Sequence, residues 1–140
     1  MEHNLIFYPV VAQIILTFVM YARLPVLKKL ALEKGEVDLE RRALHNDAWP
    51  DYVLKVSNNV QNQFESPVLF YALAFMLWAL ETVTFPALVL AWAYVSLRIV
   101  HMLVHTGANV VPVRKNVFIV SVLMLMGLCA LVIHALLVAS

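Results

Sequence analysis

One apolar stretch of this 140-residue sequence carries a stripe of polar side chains. Tyr94, Arg98, His101 and His105 recur at spacings of four, three and four residues. Positions three and four apart lie on one face of an α-helix, so these side chains are expected to share a face. One arginine, two imidazoles and a tyrosine exceed what is needed to pin a helix in a bundle.

A second polar group directly precedes the apolar run Val68–Trp78. Asn58, Asn62 and Glu65 are four and three residues apart, which again places them on one helical face. A carboxylate at membrane depth is costly and normally marks a function or a buried partner. Because a very short turn joins this helix to the next, Glu65 and Arg98 are expected at the same level. They form either an ion pair that only pins the bundle or part of a binding site.

Two further arginines, Arg23 and Arg114, are predicted at helix ends, where this side chain commonly snorkels to lipid headgroups. Together with Arg98 they place three guanidiniums around the level of Glu65. Such a group suits a small anionic ligand with carboxylates, which arginine binds in a bidentate manner. Apolar walls beside it would accept a lipid-soluble second molecule that enters from the membrane.

The histidines raise two cofactor alternatives. His101 and His105 have the i, i+4 spacing of helix-borne metal ligands, but Arg98 on the same face would repel a divalent cation. Haem between one of them and His134 is conceivable in a four-helix bundle, but the topology puts His134 near the opposite side. We therefore expect neither metal nor haem.

The composition places these polar residues in a membrane. Hydrophobic residues make up 63% of the chain and charged residues 14%, whereas soluble domains average about 45–50% and about 25%. A chain this small cannot hide the excess in its own core, so much of its surface must contact lipid. The net charge is +1, and no nucleic-acid partner is expected.

Four apolar segments approach the roughly 20 residues needed to span a bilayer. They predict an all-α integral membrane four-helix bundle, a single domain over residues 1–140, with helices at about 5–27, 58–81, 85–106 and 116–139. The first and third connections carry Lys and Arg whereas the second carries neither, and cytoplasmic loops are enriched in these residues. Loops one and three are therefore predicted to face the cytoplasm, and both termini the other side.

The sequence resembles the MAPEG family, the membrane-associated proteins of eicosanoid and glutathione metabolism, over nearly its whole length. The strongest matches are Asn62–Tyr71 and Arg98–His101, and the first of these is most similar to the bacterial branch. The segment Val111–Arg114 follows at the family's distance from Arg98. The resemblance implies a homotrimer with a glutathione site between neighbouring subunits. It further implies a multi-pass protein of the bacterial inner membrane, with that site open to the cytoplasm.

The resemblance also implies roles for individual residues. Asn62 and Glu65 would hold the polar backbone of glutathione, and Arg23 would line the same site. Arg114 matches the arginine thought to stabilise the glutathione thiolate. That role is chemically sound because a guanidinium near sulfur lowers the thiol pKa from about 8.5 and so increases the nucleophilic fraction.

Arg98 and His101 match the family's third-helix pair, whereas His105 stands where one active member has a ligand-binding tyrosine. Asn58 replaces an arginine found four residues before the asparagine, which removes a charged clamp for a carboxylate. The expected activity is glutathione-dependent transfer to, or reduction of, a lipophilic electrophile, with glutathione as co-substrate. The Asn58 replacement keeps open an alternative, a non-enzymatic lipid-binding or scaffolding trimer of the same fold.

Overall fold

The computed structural model describes residues 2–139, and within them every regular element is helical. The α-helices are α1 (Phe7–Glu33), α2 (Asp51–Asn62), α3 (Ser66–Ala79), α4 (Phe85–Thr106) and α5 (Val111–Ala139). Short 3₁₀ helices, His3–Ile6 and Asn46–Ala48, precede α1 and α2. Because α2 and α3 follow each other closely and replace one predicted helix, the fold is the predicted membrane four-helix bundle.

Three of these helices are long and apolar enough to cross a membrane: His3–Glu33, which includes the first 3₁₀ turn, Phe85–Thr106 and Val111–Val138. Helix α3 has 14 residues, which is roughly 21 Å at 1.5 Å per residue. The hydrocarbon core is about 30 Å thick. The fourth crossing of the bundle therefore needs the end of α2 as well as α3.

The prediction of one continuous helix over 58–81 is wrong. The segment begins earlier, at Asp51, and is interrupted between Asn62 and Ser66. Pro67 lacks the N–H that would continue the helical ladder, but the first turn of a new helix needs no such donor. The proline therefore starts α3 instead of lying inside one long helix, and Glu65 lies in the break with φ −98° and ψ −102°.

The remaining helix limits differ less. The third predicted helix, 85–106, is confirmed, whereas α5 starts at Val111 and not at residue 116. Helix α1 continues past residue 27 to Glu33, because the lysines after Leu27 mark the end of the apolar segment but not of the helix. Gly35 caps this end from just outside the helix: it has a φ of +69°, and its N–H donates to Leu32 O.

A chain of buried side-chain amides connects the break to the neighbouring helices. Gln13 Nε2 of α1 donates to Gln63 Oε1 at 2.9 Å, and Gln63 Nε2 donates to Asn59 Oδ1 at 2.9 Å. The amide nitrogens of Asn59 and Asn62 each lie 3.4 Å from Nδ1 of His105 on α4. We call the series Gln13–Gln63–Asn59–His105 the amide chain; it joins α1, α2 and α4 through the break.

Arg98 caps the end of α2 from α4. Its Nη2 donates to the main-chain oxygen of Asn62 at 2.9 Å, and the side chain is only 1% exposed. The last carbonyls of a helix have no intrahelical partner, and a cation is favourable at that end. Arg98 therefore stabilises the interruption that Pro67 makes necessary.

Two apolar clusters fill the bundle. In the larger one, Phe70 of α3 stacks on Tyr94 of α4 with ring centroids 4.7 Å apart, and Ser66 hydrogen-bonds the Tyr94 hydroxyl at 2.9 Å. The smaller cluster includes Met20 of α1 and Met102 of α4. Small residues such as Ala74, Ala87 and Ala91 are fully buried, and side chains of this size let membrane helices approach closely.

The outer faces of the helices remain apolar. Phe18, Leu69 and Met126 are each at least 60% exposed, on α1, α3 and α5. In water such surfaces would mark an interface or cause aggregation, whereas lipid tails are their natural surroundings in a membrane protein. The loop between α1 and α2 is polar instead. Tyr52, in the first turn of α2, donates to Glu36 of this loop at 2.6 Å, and this bond raises the pKa of the tyrosine to about 12.

Replacing Gln63 by Leu tests the amide chain. The substitution leaves Gln13 Nε2 and Asn59 Oδ1 enclosed without their partner, and each such group costs about 1–3 kcal/mol. We expect the free energy of unfolding, measured by circular dichroism during SDS titration of mixed micelles, to fall by at least about 1 kcal/mol. Gln61→Leu is the matched control, since Gln61 is exposed and should change stability by less than about 0.5 kcal/mol. Equal stability of the two variants would contradict the structural role of the chain.

Candidate functional site

An open cavity of about 550 Å³ lies where α2 ends and α5 begins. Small-molecule sites typically have volumes of roughly 300–1,000 Å³. Six of the eight predicted site residues line this cavity, and four residues that were not part of the predicted site join them. The lining consists of Asn58, Asn62, Glu65, His101, His105 and Arg114 from the prediction, and of Gln61, Val111, Lys115 and Phe118 in addition.

The charged groups of the lining are one carboxylate and two cations. Glu65 stands at the start of α3, where the helix dipole favours a negative charge. Arg114 and Lys115 lie in the first turns of α5. The cavity can thus pair with a ligand that carries both an ammonium group and carboxylates.

Arg114 is oriented by the turn that joins α4 to α5. Its Nη1 donates to Asn109 Oδ1 at 2.7 Å. Asn109 has a φ of +52°, a left-handed conformation that asparagine tolerates better than most residues. The sequence interpretation missed Asn109, although the segment Gly107-Ala108-Asn109 has the composition of a turn.

The amides of the cavity come from the last two turns of α2. Asn58, Gln61 and Asn62 line it there and offer both donors and acceptors. Lys55, one turn earlier, donates to the main-chain oxygen of Gly107 at 3.2 Å. This bond connects α2 to the end of α4, and it therefore holds the amide side chains of α2 close to the histidines of α4.

The two histidines meet at the inner end of the lining. The rings of His101 and His105 are edge to face with centroids 5.5 Å apart, and Phe118 lies 5.9 Å from His101. Nδ1 of His101 is enclosed and has no hydrogen-bond partner within the described part of the chain. His134 lines a different cavity beside Thr82. Residues 2–139 hold no group of three His, Cys, Asp or Glu side chains with the geometry for a metal ion.

Two predicted residues do not line the cavity. Arg98 is buried against the main chain of Asn62, and its Nε and Nη1 have no hydrogen-bond partner among residues 2–139. The alternative of an Arg98–Glu65 ion pair is not borne out, since the described ion pairs do not include it. Arg23 is exposed and donates to Thr106 Oγ1 at 3.1 Å, so within one chain it contacts the end of α4 instead.

Fold and cavity define a class of protein: a membrane four-helix bundle with a polar, charged cavity where α2 ends and α5 begins. The model of the MAPEG family matches residues 6–134 of the 140-residue chain. The chain therefore belongs to the MAPEG family, which generally uses glutathione and acts in the membrane. Comparisons with curated proteins and with solved structures give no match.

Thiol labelling tests whether the cavity admits water. In a Cys129→Ser background, a cysteine at Gln61 should react quickly with a charged maleimide, because Gln61 lines the cavity and is exposed. A cysteine at Val56 on the same helix is the control and should react slowly, since Val56 is only 1% exposed. Similar rates at both positions, followed by mass spectrometry, would contradict an open polar cavity.

Proposed function

We propose that this protein is a glutathione-dependent transferase or peroxidase of the membrane, acting on a lipophilic electrophile. The observation that carries the proposal is the combination of one carboxylate, two cations and several amides around a single cavity. Glutathione has one ammonium group, two carboxylates, two peptide bonds and a thiol. Membership of the MAPEG family supports glutathione over other ligands of the same charge pattern.

In this proposal the groups of glutathione pair with groups of opposite character. Glu65 binds the ammonium group, Asn62 and Asn58 bind the peptide backbone, and Lys115 binds a carboxylate. Arg98 acts indirectly, since it fixes the main chain of Asn62. Arg23 does not reach the cavity of its own chain, so it would contribute only if a neighbouring subunit of a homotrimer completes the site.

The chemistry rests on Arg114. Its guanidinium is held by Asn109 through one nitrogen, and its remaining donors would stabilise the glutathione thiolate. In the transferase reaction, the thiolate attacks an electrophilic carbon, an S–C bond forms, and the leaving group departs with the electron pair. In the peroxidase reaction, the thiolate attacks a peroxide oxygen, the O–O bond breaks, and the departing alkoxide takes a proton from water to become an alcohol. A second glutathione then converts the resulting sulfenic acid to disulfide and water.

The lipophilic substrate would reach the site through the membrane. Exposed apolar side chains cover the outer faces of the helices, and Val111 and Phe118 give the polar cavity an apolar side. Lys and Arg in loops one and three favour a cytoplasmic position for this end, and the resemblance to the bacterial branch of the family is the reason for proposing a bacterial inner membrane. A membrane-impermeant maleimide should therefore label Gln61→Cys only after cells are permeabilised, and labelling of intact cells would reverse this orientation.

A second candidate function is a lipid-binding or scaffolding trimer without catalysis. Asn58 favours it, because an arginine at this cavity position would provide a carboxylate clamp that asparagine does not. Retention of Arg114, oriented by Asn109, favours the enzyme instead, since a lipid-binding protein has no evident need for a thiolate-stabilising cation.

Arg114→Ala tests the catalytic role. Loss of one preorganised donor to a developing or stabilised anion typically lowers kcat by about 10²–10³. We expect a decrease of that size with 1-chloro-2,4-dinitrobenzene or cumene hydroperoxide as electrophile, and a much smaller change in glutathione affinity. Arg41→Ala is the control, because Arg41 pairs with Asp47 in the exposed loop. Unchanged turnover in Arg114→Ala would contradict the assigned role.

Asn58→Arg tests whether the missing clamp weakens binding. A charged hydrogen bond to a carboxylate contributes about 1.5–3 kcal/mol, so glutathione affinity should rise about tenfold or more. Calorimetric titration of the wild type and the variant measures the change. Asn58→Lys serves as the comparison, since a lysine supplies the charge without the planar fork of arginine. An unchanged affinity in Asn58→Arg would mean that no carboxylate lies near this position.

A further inference from the structure

The amide chain ends on a histidine that lines the cavity, and its direction determines what that histidine can offer a ligand. Gln13 donates to the oxygen of Gln63, and Gln63 donates to the oxygen of Asn59. The nitrogen of Asn59 is thereby turned toward His105, where it lies 3.4 Å from Nδ1. An amide nitrogen can only donate, so Nδ1 of His105 must be the acceptor.

A second amide leads to the same assignment. Asn62 Nδ2 also lies 3.4 Å from Nδ1 of His105. If the chain ran in the opposite direction, a single Nδ1–H would have to serve the oxygens of both asparagines. In the observed direction, Oε1 of Gln13 is enclosed without a partner among the described residues. In the opposite direction, the amide nitrogen of Gln13 would take the place of that oxygen, and both of its hydrogens would lack a partner. The observed direction satisfies more of the buried groups.

We propose that the amide chain holds His105 as the neutral tautomer protonated on Nε2, which makes it a hydrogen-bond donor to an anionic group in the cavity. A neutral imidazole carries one proton, so an accepting Nδ1 leaves the proton on Nε2. The ring lines the cavity, and Nε2 is not among the enclosed unpaired atoms. Asn59 and Gln63 are then positioning residues that act through His105.

This tautomer decides the chemistry of the cavity wall. With Nε2 protonated and Nδ1 contacted by the amides of Asn59 and Asn62, His105 has no free nitrogen that could take a proton from a ligand, so it does not serve as a general base. It adds a directed donor to the positive side of the cavity formed by Arg114 and Lys115. That the anion is a carboxylate or the thiolate of glutathione rests on the proposed function, whereas the tautomer does not.

Nuclear magnetic resonance of the ligand-free protein tests the tautomer directly. In detergent-solubilised protein labelled with ¹⁵N-histidine, long-range ¹H–¹⁵N correlations distinguish protonated from unprotonated ring nitrogens, and His105→Gln assigns the signals. We expect an unprotonated Nδ1 and a protonated Nε2 at neutral pH. A protonated Nδ1 in the wild type would overturn the proposal.

Asn59→Asp tests the cause of the tautomer. The carboxylate replaces a donor by an acceptor of the same size, so the proton should move to Nδ1. Asn58→Asp is the matched control: it adds the same charge one residue away, has no contact with Nδ1, and should leave the proton on Nε2. Should Asn59→Asp fail to fold, Gln63→Glu applies the same reversal one step earlier. A proton that stays on Nε2 in the folded reversal variant would show that the amide chain does not set the tautomer.

Calorimetric titration with glutathione tests the donor role. His105→Gln retains a donating nitrogen and should bind with nearly the wild-type affinity, whereas His105→Leu should bind about tenfold more weakly. Equal affinities of the two variants would overturn the donor role. A wild type that does not bind glutathione would overturn the proposed function instead, and the ligand-free spectra would still decide the tautomer.

Discussion

Arg98 donates to the main-chain oxygen of Asn62 at 2.9 Å, inside the bundle and away from water. This contact lets α2 end where it does. Because α2 ends there, its last two turns present their amides to the cavity, and α3 begins with a free N-terminus that favours the carboxylate of Glu65. A continuous helix through this region would have no such pair of opposed helix ends.

The interaction is energetically demanding. A charged side chain in the middle of a membrane helix costs about 2.5–3.5 kcal/mol on insertion scales, and two nitrogens of Arg98 have no partner among residues 2–139. The main-chain oxygen at the end of α2, to which Arg98 donates, and the negative charge of Glu65 offset part of this cost. The amide chain also stabilises the break between α2 and α3, since it connects this break to α1 and to His105. Stability and site geometry therefore depend on the same few polar groups.

The sequence predicted the bundle and most of the cavity for a simple reason. Ionisable residues are rare in apolar helices, so Glu65, Arg98 and the histidines stood out. Helical spacing placed His101 and His105 on one face of α4 correctly, whereas Glu65 lines the cavity from the break and does not share a helix with Asn62. The predicted helix end placed Arg114 at the level of Glu65 and the MAPEG resemblance gave it a role, and the cavity does bring Arg114 together with Glu65 and His105.

What could not be predicted depends on contacts that leave no pattern in sequence. The partner of Arg98 is a main-chain oxygen, which every residue has. Gln13 and Gln63 are uncharged, and amides at a helix end read as solvated, so the amide chain was not foreseen. The helix break was missed because Pro67 was taken as part of one long span. Proline has no backbone N–H, and a helix tolerates this in its first turn but not in its interior, so Pro67 marks the start of a new helix. Arg23 was placed near Glu65 by its predicted helix end and by family position, whereas its contact with Thr106 depends on how α1 packs on α4.

The central claim is that this cavity binds glutathione as a thiolate. Calorimetric titration of the detergent-solubilised protein, with the ultraviolet absorbance of the thiolate followed in the same samples, measures both parts of the claim. The account predicts saturable binding together with a thiolate signal at neutral pH, and loss of that signal in Arg114→Ala. Absence of binding at millimolar glutathione would contradict the account and direct attention to lipid ligands of the same bundle.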